Sequence, residues 1–279
     1  MIPQRSLSLL SNRLAREGGR RIPEAVLERD YCLAWFLVGL SRAPLRDLLV
    51  FKGGTALKRC YFGDYRFSED LDFTLTSDVP FETIRNDLDP VFNEILRASG
   101  IVFRFERQDR QSHVNSHTFY LGYEGPLPAR AASQVKVDIT IRERLVRPLG
   151  QQPVLRGYEE YDDLPDGATV RVYSLEEVAV EKVVALGDRA RNEPRDLYDI
   201  WYLTTEGHVD LGALKAEIES KLEFRGRALS TIAGEFQRKE ARLKKLWSIR
   251  LAPQISTLPE FDGVFRAVQR SLRQAGLTG

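Results

Sequence analysis

The feature that most limits what this chain can fold into is the stretch from Leu48 to Leu75, LLVFKGGTALKRCYFGDYRFSEDLDFTL. An apolar run, Leu48 to Phe51, breaks at Gly53-Gly54, and Thr55-Ala56-Leu57-Lys58 then reads as the start of a helix. From Phe67 to Leu75 apolar and polar residues alternate, the pattern of a half-buried strand. On that strand Asp70 and Asp72 are two apart and share one face, while Leu71, Phe73 and Leu75 share the other. Two neighbouring carboxylates repel unless a cation sits between them. A hard divalent ion with oxygen ligands, most simply Mg²⁺, is the natural occupant. The glycines supply a complement, because backbone N–H groups without Cβ atoms around them can approach a phosphate closely at a helix N-terminus. A phosphate cradle beside metal-binding carboxylates is the kit of a phosphoryl- or nucleotidyl-transfer site.

Around this stretch the chain reads as mixed. Leu7 to Arg16 has helical spacing, and Pro23 opens a second helix from about Glu24 to Leu40. After Leu75 a helical stripe runs from Phe81 to Ser99 and stops at Gly100. Ile101–Glu106 and His117–Tyr123 alternate as strands, and Gln134–Ile141 is a third, with Val135, Val137, Ile139 and Ile141 on one face and Lys136, Asp138 and Thr140 on the other. Asp138 therefore joins a polar face, as Asp70 and Asp72 do, where it would complete a two-metal site or orient an attacking hydroxyl. His113 and His117 have a helical metal spacing but fall in a loop-to-strand region without HExxH or a cysteine pair, so solvent-facing imidazoles are expected.

Pro148 to Val172 is rich in Gly, Pro and Asp and reads as a domain boundary, with one further short strand at Arg171-Val172-Tyr173. The expected domains are residues 1–172 and a helical lobe, 173–279. Ser174 and Glu177 form a capping box. Lys182, Ala185 and Arg189 share a helix face by spacing. Pro194 restarts the chain, and Asp196 and Asp199 fall on one face of the helix that follows; helix-dipole compensation alone would explain two acids there. Arg238, Lys239, Arg242, Lys244 and Lys245 crowd a later helix, either as a solvated face or as phosphate-backbone contacts for RNA.

With 279 residues there is room for one large domain or two modest ones, and a net charge of +1 does not announce a nucleic-acid binder. Cys32 and Cys60 sit in apolar patterns and are expected as buried thiols of a reducing compartment. The first residues lack a signal-peptide core, and the uncharged run Tyr31–Leu40 is too short to cross a bilayer. A cytoplasmic protein with no membrane segment is the expectation.

The common phosphoryl-transfer templates are absent: there is no GxxxxGK[ST], no GxGxxG loop with HRD and DFG, and no GxSxG elbow. A strand, a diglycine turn, a helix, a strand with DxD and a further strand with Asp match the DNA-polymerase-β-type nucleotidyltransferase plan. The fold class expected is α+β: a mixed sheet flanked by helices, followed by the helical C-terminal lobe. FKGGTALKRCYF with RFSEDLDFTL, then VKVDIT, VEKVVALGDRAR and RDLYDIW, resembles the AbiEii/AbiGii nucleotidyltransferase toxins, a family that includes the MenT toxins. The likeness runs in order from about Ile22 to Leu203.

That resemblance implies roles. Gly53, Gly54 and Thr55 would hold the triphosphate of an NTP, with Lys58 in the same nucleotide-binding set. Asp70 and Asp72 would bind Mg²⁺ with Asp138 as the third acid, and Ser68 matches the family's active-site serine. Arg66, Lys182 and Arg189 would neutralise phosphate charge, Lys182 as a catalytic residue, and Asp196 and Asp199 would shape the nucleotide pocket. The implied activity is transfer of a nucleotide to an acceptor hydroxyl, a tRNA 3′ end, by a toxin whose antitoxin is encoded alongside. A nucleotidyltransferase acting on protein or a small molecule, or a non-catalytic nucleotide- or RNA-binding module, are the alternatives.

Overall fold

The structure is a computed structural model and describes residues 1–109, 114–128 and 133–278. His113 lies outside the described residues. The chain divides into two compact units, Met1–Glu143 with Leu149–Val172, and Arg144–Pro148 with Tyr173–Gly279.

The first unit opens with helices α1 (Gln4–Gly18) and α2 (Glu24–Ser41). From Tyr31 onward every residue of α2 is buried, as expected of a helix that is apolar all round. Strand β1 (Leu49–Lys52) runs into a one-turn helix, α3 (Gly53–Ala56), which widens into a π-helical turn over Leu57–Phe62. Then come β2 (Asp70–Leu75), α4 (Phe81–Ser99), β3 (Val102–Gln108), β4 (Ser116–Glu124), β5 (Gln134–Thr140), β6 (Leu149–Pro153) and β7 (Thr169–Tyr173). The seven strands form one mixed sheet in the order β3-β4-β5-β2-β1-β7-β6. β2 lies antiparallel to β1 and parallel to β5, so the diglycine strand and both acid-bearing strands are neighbours.

Alternation decides which face is core. Phe51, Leu71, Phe73, Phe119, Val135, Val137 and Ile139 are all buried and belong to one apolar cluster with α2 and α4. Phe36 of α2 meets the Phe103 ring at 5.7 Å, and Phe92 of α4 stacks on it at 6.2 Å. The opposite face of β4, β5, β2 and β1 carries the polar residues.

Two expectations need correction. Phe67 and Ser68 are not in the strand, which begins at Asp70; the chain leading to it is irregular. The Gly- and Pro-rich span Pro148–Val172 holds two sheet strands, β6 and β7. The first of them, LGQQP, has no apolar alternation to reveal it.

In the second unit α5 (Leu175–Leu186), α6 (Pro194–Thr205), α7 (Lys215–Phe224), α8 (Ser230–Leu251) and α9 (Phe261–Gln274) pack together. Ser174 caps α5 by accepting the Glu177 N–H at 3.2 Å. The other half of the capping box does not form. Glu177 is fully buried, where it accepts the Val146 and Arg147 N–H groups and pairs with the equally buried Lys221 at 2.5 Å. Phe236 of α8 stacks on Phe265 of α9 with centroids 4.5 Å apart. Among the described residues no helix is long and apolar enough to cross a membrane.

Candidate active site

Register alone assembles the polar face. Thr118 of β4 stands opposite Asp138 of β5, Asp138 beside Asp72 of β2, and Asp72 opposite Lys52 at the end of β1. Two residues along, Tyr120, Lys136 and Asp70 form a parallel row. Three acids and two ammonium groups thus share one face of four adjacent strands. Neither Lys52 nor Lys136 was among the site residues expected from sequence; the alternation that marked Asp138 placed Lys136 on its face too, but Lys52 needed the register.

The diglycine turn closes one end of the row. Gly53 adopts φ +80°, a conformation L side chains rarely take, and a Cβ there would press into the Asp72 carboxylate, with Asp72 Cβ and Cγ only 3.2 Å away. A Cβ on Gly54 would run into the buried Arg66 guanidinium, with Cζ at 3.0 Å. The turn therefore lies directly against one acid and one arginine of the expected site. Thr55 is buried and its hydroxyl donates to the Asp70 carbonyl at 2.6 Å, so it ties the turn to β2. Ser68, also buried, lies just before that strand.

Asp138 is engaged. The Thr118 hydroxyl donates to one carboxylate oxygen and Lys136 Nζ to the other, each at 2.5 Å. Burial alone would lower the Lys136 pKa, but the hydrogen bond and charge of Asp138, together with Asp70, outweigh it and raise the value. Among the described residues no group of three or more His, Cys, Asp or Glu side chains is gathered as a metal site. Asp70 and Asp72 nevertheless suit a hard cation: both are oxygen donors on one half-buried strand face, beside a turn that leaves no room for a side chain.

Lys58 does not reach this face. It is buried, donating to the Gly63 and Tyr65 carbonyls at 3.0 and 3.1 Å and to the Tyr158 hydroxyl at 2.9 Å. Its ammonium lies over the Phe67 and Tyr158 rings at 4.3 and 4.7 Å. Burial drives its pKa down to about 8, against the raising effect of Asp30. With all three donors spent inside the fold, Lys58 locks the loop before Arg66.

The second unit holds its own charge cluster. Lys182 Nζ bridges Asp196 at 2.7 Å and Asp199 at 2.9 Å, and Arg191 grips Asp196 through two nitrogens at 2.5 and 3.1 Å. Burial would raise the Asp196 carboxyl, but Lys182 and Arg191 prevail and hold it down at about 2. Arg189 does not share the Lys182 face: α5 ends at Leu186, and Arg189 is an exposed turn residue. Its neighbour Arg191, unmarked by helical spacing, is the arginine that pairs.

The basic stretch of α8 is not one surface. Lys239 is buried and caps α5 by donating to the Leu186 carbonyl at 2.6 Å. Arg238 pairs with Glu235 at 2.6 Å and Lys244 with Asp262 at 2.7 Å. Arg242 and Lys245 are exposed.

The profile of the family described as "Nucleotidyl transferase AbiEii toxin, Type IV TA system" matches residues 35–270. The solved structures similar to this chain include two nucleotidyltransferase-type proteins. The nucleotidyltransferase toxin MenT4 from Mycobacterium tuberculosis H37Rv aligns with a TM-score of 0.61 at 18% identity, over 95% of this chain and 89% of that one. A Helicobacter (H. pylori) protein described as a nucleotidyltransferase aligns with a TM-score of 0.55 at 18% identity, over 91% and 96%. At that identity they speak to the fold. No protein of curated function matches the sequence.

Proposed function

This chain belongs to the AbiEii nucleotidyltransferase toxin family of type IV toxin–antitoxin systems, and on that footing we propose that it transfers a nucleotide from an NTP to the 3′-terminal hydroxyl of tRNA. The observation that carries the reading is the row Asp138–Asp72–Lys52 on three adjacent strands, with Gly53 wedged against Asp72.

In this reading the Gly53-Gly54 turn offers backbone N–H groups to the triphosphate, and Arg66 behind Gly54 neutralises its charge. Asp70 and Asp72 would hold Mg²⁺, which when bound stabilises negative charge on phosphoryl oxygens. Asp138, fixed by Thr118 and Lys136, orients the attacking hydroxyl as a hydrogen-bond acceptor. The hydroxyl oxygen bonds to the α-phosphorus, the bond to pyrophosphate breaks, and the hydroxyl proton leaves to solvent. Lys182, Asp196 and Asp199, to which the family resemblance gives a part in catalysis and nucleotide binding, form with Arg191 a cluster whose charges are matched. The family implies an antitoxin that restrains the activity.

The test is to incubate the full chain with Mg²⁺, total tRNA and each α-labelled NTP in turn, beside Asp70→Ala. Label should enter tRNA with the wild-type chain and fall by roughly a hundred- to a thousandfold in the variant. No labelling of tRNA with any NTP would reject the substrate assignment.

A further inference from the structure

In-line transfer fixes more than the acids. The nucleophile must approach the α-phosphorus from the side opposite the leaving pyrophosphate. On the reading above the triphosphate lies against the turn that ends β1, at one side of the Asp70–Asp72 strand. The sheet order then leaves β5, β4 and β3 on the other side, and what those strands present on the acid-bearing face is specific.

Strand β3 carries a register shift between Phe105 and Arg107. Phe103 and Phe105 face the apolar side, opposite Tyr123 and Leu121, so strict alternation would send Arg107 there as well. The extra residue, Glu106, turns Arg107 instead to stand opposite Tyr120, on the face shared with Lys136 and Asp70. There its guanidinium carbon sits 3.7 Å from the Tyr120 ring centroid. Arg107 is exposed, Tyr120 is half-buried beneath it, and the Lys136 side chain is 38% exposed. The nearby acids Glu106 and Glu124 are both drawn off by Arg104, at 2.6 and 2.8 Å. The row Arg107–Tyr120–Lys136–Asp70 thus joins a stacked, outward-facing cation plane to the catalytic acids, with an ammonium between.

We propose that Arg107, Tyr120 and Lys136 form the acceptor platform: an unpaired 3′-terminal base of RNA stacks on the outer plane of the Arg107 guanidinium, backed by Tyr120, while Lys136 meets the adjacent phosphate. A planar, sequence-tolerant stacking surface beside a cation is how proteins hold single-stranded ends. A protein acceptor would have no base to stack, and a free small molecule would not span four strands. The assignment rests on the nucleotidyltransferase reading above and adds the side from which RNA enters.

The experiment measures steady-state labelling of tRNA by the full chain, varying tRNA and NTP separately, for Arg107→Ala, Arg107→Lys, Tyr120→Ala and Tyr120→Phe. Arg107→Ala and Tyr120→Ala should raise KM for tRNA about tenfold or more and leave KM for NTP and the melting temperature where they were. Arg107→Lys, which keeps the charge but not the plane, should behave like Arg107→Ala. Tyr120→Phe should recover the RNA affinity lost in Tyr120→Ala. Arg107 is exposed, so its variants remain informative should Tyr120→Ala misfold. Unchanged KM for tRNA in both Arg107 variants overturns the platform while leaving nucleotide transfer intact. Label appearing on protein in place of RNA overturns the occupant, and a wild-type chain that labels nothing overturns both readings.

Discussion

Asp70 and Asp72 on one side of the molecule's sequence, Asp196 and Asp199 on the other, are closely spaced aspartate pairs with opposite fates. The first pair sits half-buried on a sheet face, and the ammonium that holds its neighbour Asp138 belongs to Lys136, whose side chain is 38% exposed. The second pair is 2% and 0% exposed and shares Lys182, itself 11% exposed. Solvent-accessible charge can be exchanged for an incoming cation or phosphate at little cost, whereas uncoupling a buried pair strands an unsolvated ion. Acid spacing alone did not separate them. Exposure does: the sheet pair is half-buried, whereas the helical pair is enclosed together with Lys182.

The sharpest way to break this comparison is to remove one group from each side. Lys182→Met leaves two buried carboxylates around an apolar side chain and should lower unfolding free energy by about 3–5 kcal/mol. Asp72→Asn, on the half-buried face, should change it by no more than about 1 kcal/mol while cutting transfer by roughly a hundred- to a thousandfold. Urea unfolding of both variants decides; equal losses would mean that the sheet acids are as structural as the helical ones.

Acid sharpens the contrast next. The Asp196 carboxyl is held at about 2 in the fold, below the roughly 3.9 of an unfolded chain. A depressed folded value contributes stability that is complete above about pH 4 and is lost as pH falls through about 2. The loss should be about 2 kcal/mol. Chemical unfolding followed from pH 6 downward should show that slope in the wild type and in Asp72→Asn, and a flatter profile in Asp196→Asn. The same slope in Asp196→Asn would assign the effect to other carboxylates.

Much of the fold around the sheet acids is legible in the sequence. Alternation put Asp70, Asp72 and Asp138 on polar faces, and the apolar stripe of Phe81–Ser99 gave a helix with the observed ends. What stayed hidden depended on partners far away in sequence. Lys52 reaches the row only because β1 pairs with β2 in one register, and Lys58 is withdrawn because Tyr158 and the Gly63–Tyr65 loop fold around it. Glu177 looked like half of a capping box, yet Lys221, a buried cation 44 residues on, claims it. Arg189 lost its helical place because α5 stops at Leu186. The bulge that re-aims Arg107 leaves no local signature, since a one-residue slip is a property of the pair of strands and not of either alone.

The diglycine turn isolates the sheet site from its scaffold. Gly53→Ala forces a side chain into a left-handed conformation at a cost of about 1–2 kcal/mol, and its Cβ must also displace the Asp72 carboxylate. Gly54→Ala meets only the far end of the Arg66 side chain, at a position without positive φ, so its stability cost should be smaller. If the turn and Asp72 act as one unit, Gly53→Ala should cut transfer by roughly a hundredfold, the scale of a misplaced reacting group, far beyond what its modest destabilisation explains. Adding Gly53→Ala to Asp72→Ala should then reduce activity little further, because the group it displaces is already gone, and the double-mutant cycle should show strong coupling. Additive losses would instead mean that the glycine serves only the backbone, and the wedge between turn and acid would have no part in the chemistry.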